Sequence, residues 1–253
     1  MKLVIALAAI IVSAGRTAHG QSAAEHIALG DREHAARNAA GALKQYEAAL
    51  AVDSNNADAL VKAAYDAVDL GEFNPNAEQR TALYRSAEQY ARRAVAANPG
   101  NPEAHFQLAV ALGRSALTMG ARDRVKFAAE VRAQALEALR LDPKHSGALH
   151  VMGVWNAEVM RLNGFTRLVA KKLLGGQIFS EANWDNAQSY LERAVALDPD
   201  RITHRLDLAA VYVDRDQKSK AVEQYEWITN APVVDYNDPN YKADAARRLK
   251  ALR

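Results

Sequence analysis

A short phrase of the form Ala-Leu-x-x-Asp-Pro, or a variant of it, recurs four times along the chain. The copies are ALAVDSNN (49–56), AVAANPGN (94–101), ALRLDPKH (138–145) and AVALDPDR (194–201). Each copy ends a helical pattern at Ser54, Pro99, Pro143 or Pro199, and proline stops a helix because it lacks the amide donor and clashes with the preceding turn. Regular stops of this kind indicate a chain of repeated helical units.

The residues five, eight and twelve positions before each stop are mostly small. Intervals of three and four residues place them on one helix face, where small side chains let two helices approach closely. The last unit also carries the tetratricopeptide pattern of leucine, small, aromatic, alanine and aromatic residues. These positions are Ala42, Tyr46, Ala49; Ala87, Ala91, Ala94; Val131, Ala135, Ala138; Ala187, Leu191, Ala194; and, in the last unit, Leu208, Ala209, Tyr212, Ala221 and Tyr225.

The pattern predicts an all-α fold, an α-solenoid of tetratricopeptide-like helix pairs with about five pairs and a C-terminal capping helix. The stops lie 45, 44 and 56 residues apart, whereas the standard unit has about 34 residues. We therefore expect extra length between paired helices, around residues 74–79, 118–124 and 164–183. Asp238-Pro239 predicts the start of the C-terminal helix, which should run to about Leu252.

The N-terminus has the features of an export signal. Met1-Lys2 precedes an uncharged apolar run from Leu3 to Ala14, and small residues occupy the first and third places of the triplet Ala18-His19-Gly20. This order predicts a signal peptide at 1–20, cleaved before Gln21, with a repeat domain at 21–253. The protein should then be exported and periplasmic or secreted, without a transmembrane segment in the mature chain. The alternative is an uncleaved N-terminal anchor.

Composition excludes several functions. The chain has no cysteine, which rules out thiol nucleophiles and Cys-based metal sites. Without Lys2 and Arg16 it holds 30 basic and 30 acidic side chains, so no overall basic charge favours nucleic acid. The seven histidines form no H-E-x-x-H motif, and no phosphate-binding or nucleophile-elbow motif occurs. We predict no catalytic residues, no metal and no cofactor; Asp207 and Asp214 are interpreted as a solvated helix face.

Residues 164–176 form the most unusual segment. Apolar residues at helical spacing alternate with basic ones, and the candidates are Phe165, Arg167, Lys171 and Lys172. One interpretation is an amphipathic helix that lies on lipid or closes a groove. The other is a short inserted helix, at about 164–182, that packs on the solenoid with its charges in water.

Side chains on the first helix of each pair are the candidate ligand contacts. In tetratricopeptide arrays these helices line the concave surface. The candidates avoid the small-residue packing positions and are Tyr65, Phe106, Arg114, His150, Val154 and Glu158. The alternative for each is simple packing against a neighbouring helix.

The segment GALHVMGVWNAEVMRLNGFTRLVAKKLLGG (147–176) resembles the regulator of microtubule dynamics family. The resemblance lies in His150, Gly153 and Trp155, then a basic-apolar segment at 167–174, then a helix from Ala187 to Pro199. It covers about 57–253, with residues 21–56 matching only the general repeat. It implies a tetratricopeptide-like domain with a concave groove. Eukaryotic members are linked to microtubules and mitochondria, and one branch to phospholipid handling.

The sequence departs from the family in its signal-like N-terminus and in lacking a cysteine after the tryptophan. We therefore interpret it as an exported bacterial relative, to which the groove transfers and the microtubule role does not. The leading hypothesis is a non-catalytic protein that holds a peptide or protein partner; the alternative is phospholipid binding or transfer in the cell envelope. Trp155 is predicted to anchor the 164–176 segment on the solenoid rather than contact ligand.

Overall fold

The computed structural model of the protein describes residues 21–162 and 177–253, and within those ranges it contains helices and no strand. The helices are α1 (Ala23–Ala35), α2 (Ala39–Val52), α3 (Ala57–Glu72), α4 (Ala77–Ala97), α5 (Pro102–Leu117), α6 (Ala121–Leu141), α7 (Ser146–Arg161), α8 (Gln177–Ser180), α9 (Trp184–Leu197), α10 (Ile202–Asp214), α11 (Lys218–Asn230) and α12 (Asp238–Leu252).

Ten of these helices pack as five consecutive pairs. The pairs are α1–α2, α3–α4, α5–α6, α7–α9 and α10–α11, and α12 packs on α11 at the C-terminal end. We call α1, α3, α5, α7 and α10 the inner helices and their partners the outer helices. From α3 to α10 each inner helix also contacts the next one. The predicted all-α solenoid of five pairs with a C-terminal helix is confirmed.

The repeated phrase sets where helices end and begin. The outer helices α2, α4, α6 and α9 each end two residues before a stop, and the next inner helix begins three residues after it. At every stop the capping residue donates its backbone N–H to an alanine carbonyl, as Asp142 does to Ala138 at 2.8 Å. Asn56, Asn101 and His145 then cap the following inner helices through their side chains, which satisfies amides that have no partner inside the helix.

The small-residue stripe of the outer helices is buried as the spacing predicts. All its members, together with the five residues of the last unit, are at most 7% exposed. Glycines on the inner helices complete the close approach: a Cβ on Gly30 would lie 2.4 Å from the Tyr46 ring, and one on Gly153 would lie 2.5 Å from Leu191 Cγ. Neither contact distance is tolerated, so these two positions require glycine for the pair to close.

Longer helices absorb most of the extra repeat length. The outer helices α4 and α6 have 21 residues each, so the first two expected insertions are additional helical turns with only short loops. The third falls mainly on residues 163–176, which lie outside the described residues. Of the predicted short helix, the structure describes only the C-terminal part, where α8 forms a single turn at Gln177–Ser180.

Three buried apolar clusters follow one another along the solenoid, one at the first two pairs, one in the middle and one at the C-terminal end. This linear arrangement is typical of stacked repeats, in which each unit is stabilised by its neighbours. In the parts of the chain that the structure describes, no helix combines the length and apolar character needed to cross a bilayer.

Candidate ligand-binding groove

Two adjoining cavities lie along the inner helices. The central cavity, of about 270 Å³, is lined by side chains of α3, α5, α7, α10 and α12. The N-terminal cavity, of about 290 Å³, is lined by α1, α3 and α5, with Tyr46 from α2. Tyr65, Glu103 and Gln107 line both cavities. We call the two cavities together the groove.

Four of the six candidate contact residues lie in the central cavity. Tyr65, Phe106, Arg114 and His150 are among its lining residues. The other two lie further along α7 and outside that lining. Val154 packs against the C-terminal apolar cluster, and Glu158 forms an exposed ion pair with Arg161 at 2.5 Å.

A segment near the C-terminus contacts three residues that line the central cavity. This strap, residues 233–237, follows α11 and reaches back to α3. Asp235 Oδ2 accepts a hydrogen bond from the Tyr65 hydroxyl at 2.7 Å and forms an ion pair with Arg201 at 2.9 Å. Asn237 donates from Nδ2 to the carbonyl of Asp69 at 3.0 Å. The strap therefore fixes Tyr65, one of the three side chains that both cavities share.

Residues on both sides of this contact region add further links to the N-terminal pairs. Tyr241 on α12 meets Phe73 edge to face, with ring centroids 5.3 Å apart. At the other end of the strap, Arg37 donates to the carbonyl of Val233 at 3.2 Å. These contacts join residues more than 160 positions apart, so the C-terminal end of the solenoid is tied directly to its first two pairs.

Carboxylates dominate the buried charge of α3. Burial, together with the nearby Asp235, raises the pKa of Asp69 to about 8. Burial also raises the pKa of Asp66, although His34 lies 2.9 Å from its Oδ1 and opposes the rise. The hydrogen bond to Asp66 raises the pKa of His34 in turn. Two successive turns of one helix thus present two carboxyl groups whose pKa values burial raises.

The cations of the central cavity are already paired. Arg114 lies 2.6 Å from Glu72, and Arg201 is held by Asp235 and by the hydroxyl of Tyr65. Nearby carboxylates and Tyr65 raise the pKa of Arg201 against the opposing effect of burial, so it stays charged. These guanidinium groups therefore act as parts of the cavity wall, with their charge directed to the protein's own oxygens.

Two histidines meet at the C-terminal end of the central cavity. His150 Nε2 lies 3.2 Å from the Asp207 carboxylate, and its Nδ1 lies 3.1 Å from His204 Nδ1. Burial, followed by the neighbouring His150, lowers the pKa of His204 to about 2, so the ring is neutral. These contacts hold both rings in place. Within the described ranges, no group of three or more His, Cys, Asp or Glu residues is arranged to hold a metal ion.

Trp155 lies in the core and not in the groove. It is 5% exposed, and its Nε1 donates to the carbonyl of Ala128 on α6 at 2.7 Å. Its ring stacks on Phe179 of α8 at 5.9 Å between centroids. The indole therefore joins α7 to α6 and to α8. The segment it was predicted to anchor, with Phe165, Arg167, Lys171 and Lys172, lies outside the described residues, as does the signal peptide predicted at 1–20.

The buried carboxyl groups of α3 and the strap were not predicted from the sequence. Asp66 and Asp69 stand among alanine and valine in the C-terminal half of α3, and two acids three residues apart in such a run are a signal that could have marked the groove. The strap gave no local signal, because its contacts depend on how far the whole solenoid curves.

Comparison with known proteins gives one family. The model of the family described as regulator of microtubule dynamics protein 1-3 matches residues 23–253, and so begins well before residue 57, where the resemblance was expected to start. Regulator of microtubule dynamics protein 1 of Bos taurus is 26% identical over 205 residues, covering 79% of this chain and 63% of that protein. The protein of the same name from Homo sapiens is 23% identical over 194 residues, covering 76% and 60%. The chain thus spans less than two thirds of these relatives.

Among solved structures, a thermophilic tetratricopeptide-repeat (TPR) protein of Thermus thermophilus superposes with a TM-score of 0.64. The two are 21% identical, and the match covers 89% of this chain and 99% of the other. At this identity the likeness supports the fold.

Proposed function

The chain belongs to the regulator of microtubule dynamics protein 1-3 family, and from this premise we propose that it is a non-catalytic scaffold that holds a peptide or protein segment in its groove. The tetratricopeptide-type fold is the first support for this proposal. In such repeats the first helices present a continuous surface to a partner, while the second helices carry the packing.

The observation that carries the proposal is the lining of the groove. Inner-helix side chains line both cavities, and they combine aromatic rings with hydrogen-bonding groups, as in Phe106, Tyr65 and Gln107. A peptide offers backbone amides, carbonyls and side chains that can pair with such a surface. A lipid acyl chain offers no partner for the charged wall, and leaving buried polar groups unpaired is costly. This favours a peptide over the phospholipid alternative.

The proposal is tested by selecting ligands on the purified chain. A displayed library of random heptapeptides is panned on the protein, and the best peptide is resynthesised with a fluorophore for anisotropy titration. We expect Phe106→Ala to weaken binding about tenfold or more, as aromatic anchors do in interfaces. The matched control is Leu197→Ala, an exposed apolar side chain on the outer helix α9, and it should bind as the unsubstituted chain does.

Two results would reject the proposal. One is a library that yields no specific peptide. The other is phospholipid in native mass spectra or solvent extracts of the purified protein, together with peptide binding that Phe106→Ala leaves unchanged. The second result would favour the lipid-binding alternative.

We also propose that the protein acts outside the cytoplasm, in the periplasm or as a secreted protein. The support is the order of charge, apolar run and small-residue triplet in residues 1–20. Intact-mass analysis of the exported protein should give a chain that begins at Gln21. A full-length chain found in the membrane fraction would contradict this.

A further inference from the structure

The groove concentrates negative charge in a chain that is nearly neutral overall. Carboxylates outnumber permanent cations in both cavities. The N-terminal cavity is lined by Asp31, Asp58, Asp66 and Glu103 against Lys62 and the titratable His34. The central cavity is lined by Glu72, Glu103 and Asp198 against Arg114 and Arg201, with three histidines. It is also lined by Asp69, whose pKa of about 8 leaves it mostly protonated at neutral pH. A concave site lined by one sign of charge attracts ligands of the other sign.

Two of these carboxylates keep an oxygen without a partner. Asp66 is 1% exposed, and its Oδ1 is bonded to His34, but its buried Oδ2 has no hydrogen-bond partner among the described residues. One turn further along α3, the buried Oδ2 of Asp69 also has no hydrogen-bond partner among the described residues. An unpaired buried carboxylate oxygen is costly for a protein to keep, and an incoming donor would relieve that cost.

The surroundings of Asp66 suit an organic cation on a flexible stem. The N-terminal cavity, of about 290 Å³, is far larger than a bare ion needs, and it is flanked by Tyr46, Val61 and Tyr65. Aromatic and aliphatic walls accept the methylene stem of a lysine or arginine while its charged head reaches a carboxylate. Lys62, the permanent cation in this lining, is already paired with Asp31 and Asp58 at 2.8 and 3.0 Å.

We propose that the groove selects peptide segments that carry a lysine or arginine, and that Asp66 binds the charged head of this side chain through its free Oδ2. This inference rests on the proposed peptide-binding function and adds the chemistry of the partner. Asp69 lies one helical turn away, and because burial raises its pKa to about 8, it adds negative charge only at alkaline pH. Binding should weaken as salt is added, because the attraction between charges is screened.

The same panning experiment tests this chemistry. We expect the selected heptapeptides to share a lysine or arginine at one position, and the best peptide to lose about tenfold or more in affinity when that residue is replaced by glutamine. Asp66→Asn, which keeps the shape of the side chain, should lose a similar factor. Combining both changes should cost little more than either alone, since both remove one contact.

Controls separate this contact from folding and from general charge. Asp123→Asn removes an exposed carboxylate on the outer helix α6 and should leave affinity unchanged at fixed ionic strength. Asp69→Asn should weaken binding less than Asp66→Asn. If Asp66→Asn fails to fold, as its thermal unfolding would show, the glutamine-substituted peptide still tests the contact from the ligand side.

The outcomes are distinguishable. Specific peptides without a shared basic residue, or equal affinities for the lysine or arginine peptide and its glutamine version, would overturn the inference and leave peptide binding intact. A library that yields no specific peptide would overturn the proposed function itself.

Discussion

Replacing Trp155 with alanine should destabilise the middle of the solenoid strongly. The side chain is 5% exposed, and its indole N–H donates to the carbonyl of Ala128 at 2.7 Å. Deleting a buried large aromatic side chain costs about 3–5 kcal/mol of the free energy of unfolding. For a chain of this size, each kcal/mol lowers the unfolding midpoint by about 2–4 °C, which gives a fall of about 6–20 °C.

One further variant separates the hydrogen-bond part of this cost, and a second tryptophan serves as a control. Trp155→Phe keeps a ring that can pack on Phe179, which stacks on the indole at 5.9 Å, but it removes the N–H donor. This variant should lose about 1–2 kcal/mol of unfolding free energy because one buried hydrogen bond is lost. The smaller volume of the ring adds a separate cost. Trp227→Ala is the control: this half-buried tryptophan lies on the outer helix α11 under Arg205, and its removal should cost less.

Thermal unfolding followed by circular dichroism of the helical signal gives the midpoints. An unchanged midpoint for Trp155→Ala would refute the structural role of this residue. If the same variant kept its stability and bound the selected peptide more weakly, Trp155 would instead face a ligand. Because the indole packs from α7 against α6 and α8, we expect a large loss of stability with the groove unaltered.

Substitutions at three further positions, with a fourth as a control, test individual contacts and one buried carboxyl group. Gly153→Ala should cost about 1–3 kcal/mol of unfolding free energy, because its Cβ would lie 2.5 Å from Leu191 Cγ, whereas Gly113→Ala, whose Cβ meets nothing within 4 Å, should be neutral or stabilising in chemical denaturation. Tyr65→Phe removes the hydroxyl that holds Asp235, so amide hydrogen exchange in residues 233–237 should quicken while outer-helix amides stay unchanged. Asp69 has a folded-state pKa of about 8, above its unfolded value, so its stabilising effect is complete at acidic pH and is lost as pH rises towards 8. The free energy of unfolding of the unsubstituted chain, relative to Asp69→Asn, should therefore fall by on the order of 1–3 kcal/mol between about pH 5 and pH 8. A difference in urea denaturation that does not depend on pH would contradict the raised pKa.

The fold could be predicted because its determinants are local and repeated. The stop at Pro143 and the alanines at Ala135 and Ala138 lie within one helix and its end, and the same spacing recurs in other units. Helix ends and buried faces of this kind depend on neighbours three to twelve residues away. The start of the C-terminal helix at Asp238 was predictable for the same reason.

The extra repeat length was only partly predictable. Spacing showed where residues had to be added, but not whether they formed loops or further helical turns. The structure places most of the first two additions in the 21-residue helices α4 and α6. A continuous helix satisfies its own backbone hydrogen bonds, whereas a long loop must find other partners.

The helices that line the groove could be predicted from the sequence, but the contacts among its side chains could not. Assigning ligand contacts to the first helices placed Tyr65, Phe106, Arg114 and His150 in the central cavity lining. The same assignment included Val154 and Glu158, which lie further along α7 and outside that lining. The hydrogen bond between Asp235 and Tyr65 joins residues 170 positions apart, so it depends on the sum of small rotations between the stacked units.

Hydrogen–deuterium exchange of the full chain, with and without the best selected heptapeptide, tests the central claim most directly. We expect bound peptide to slow exchange in the inner helices α3, α5 and α7, around Tyr65 and Phe106, while the outer helices α4, α6 and α9 keep their rates. Protection confined to the outer helices, or none at a saturating peptide concentration, would contradict the claim that this groove holds the partner.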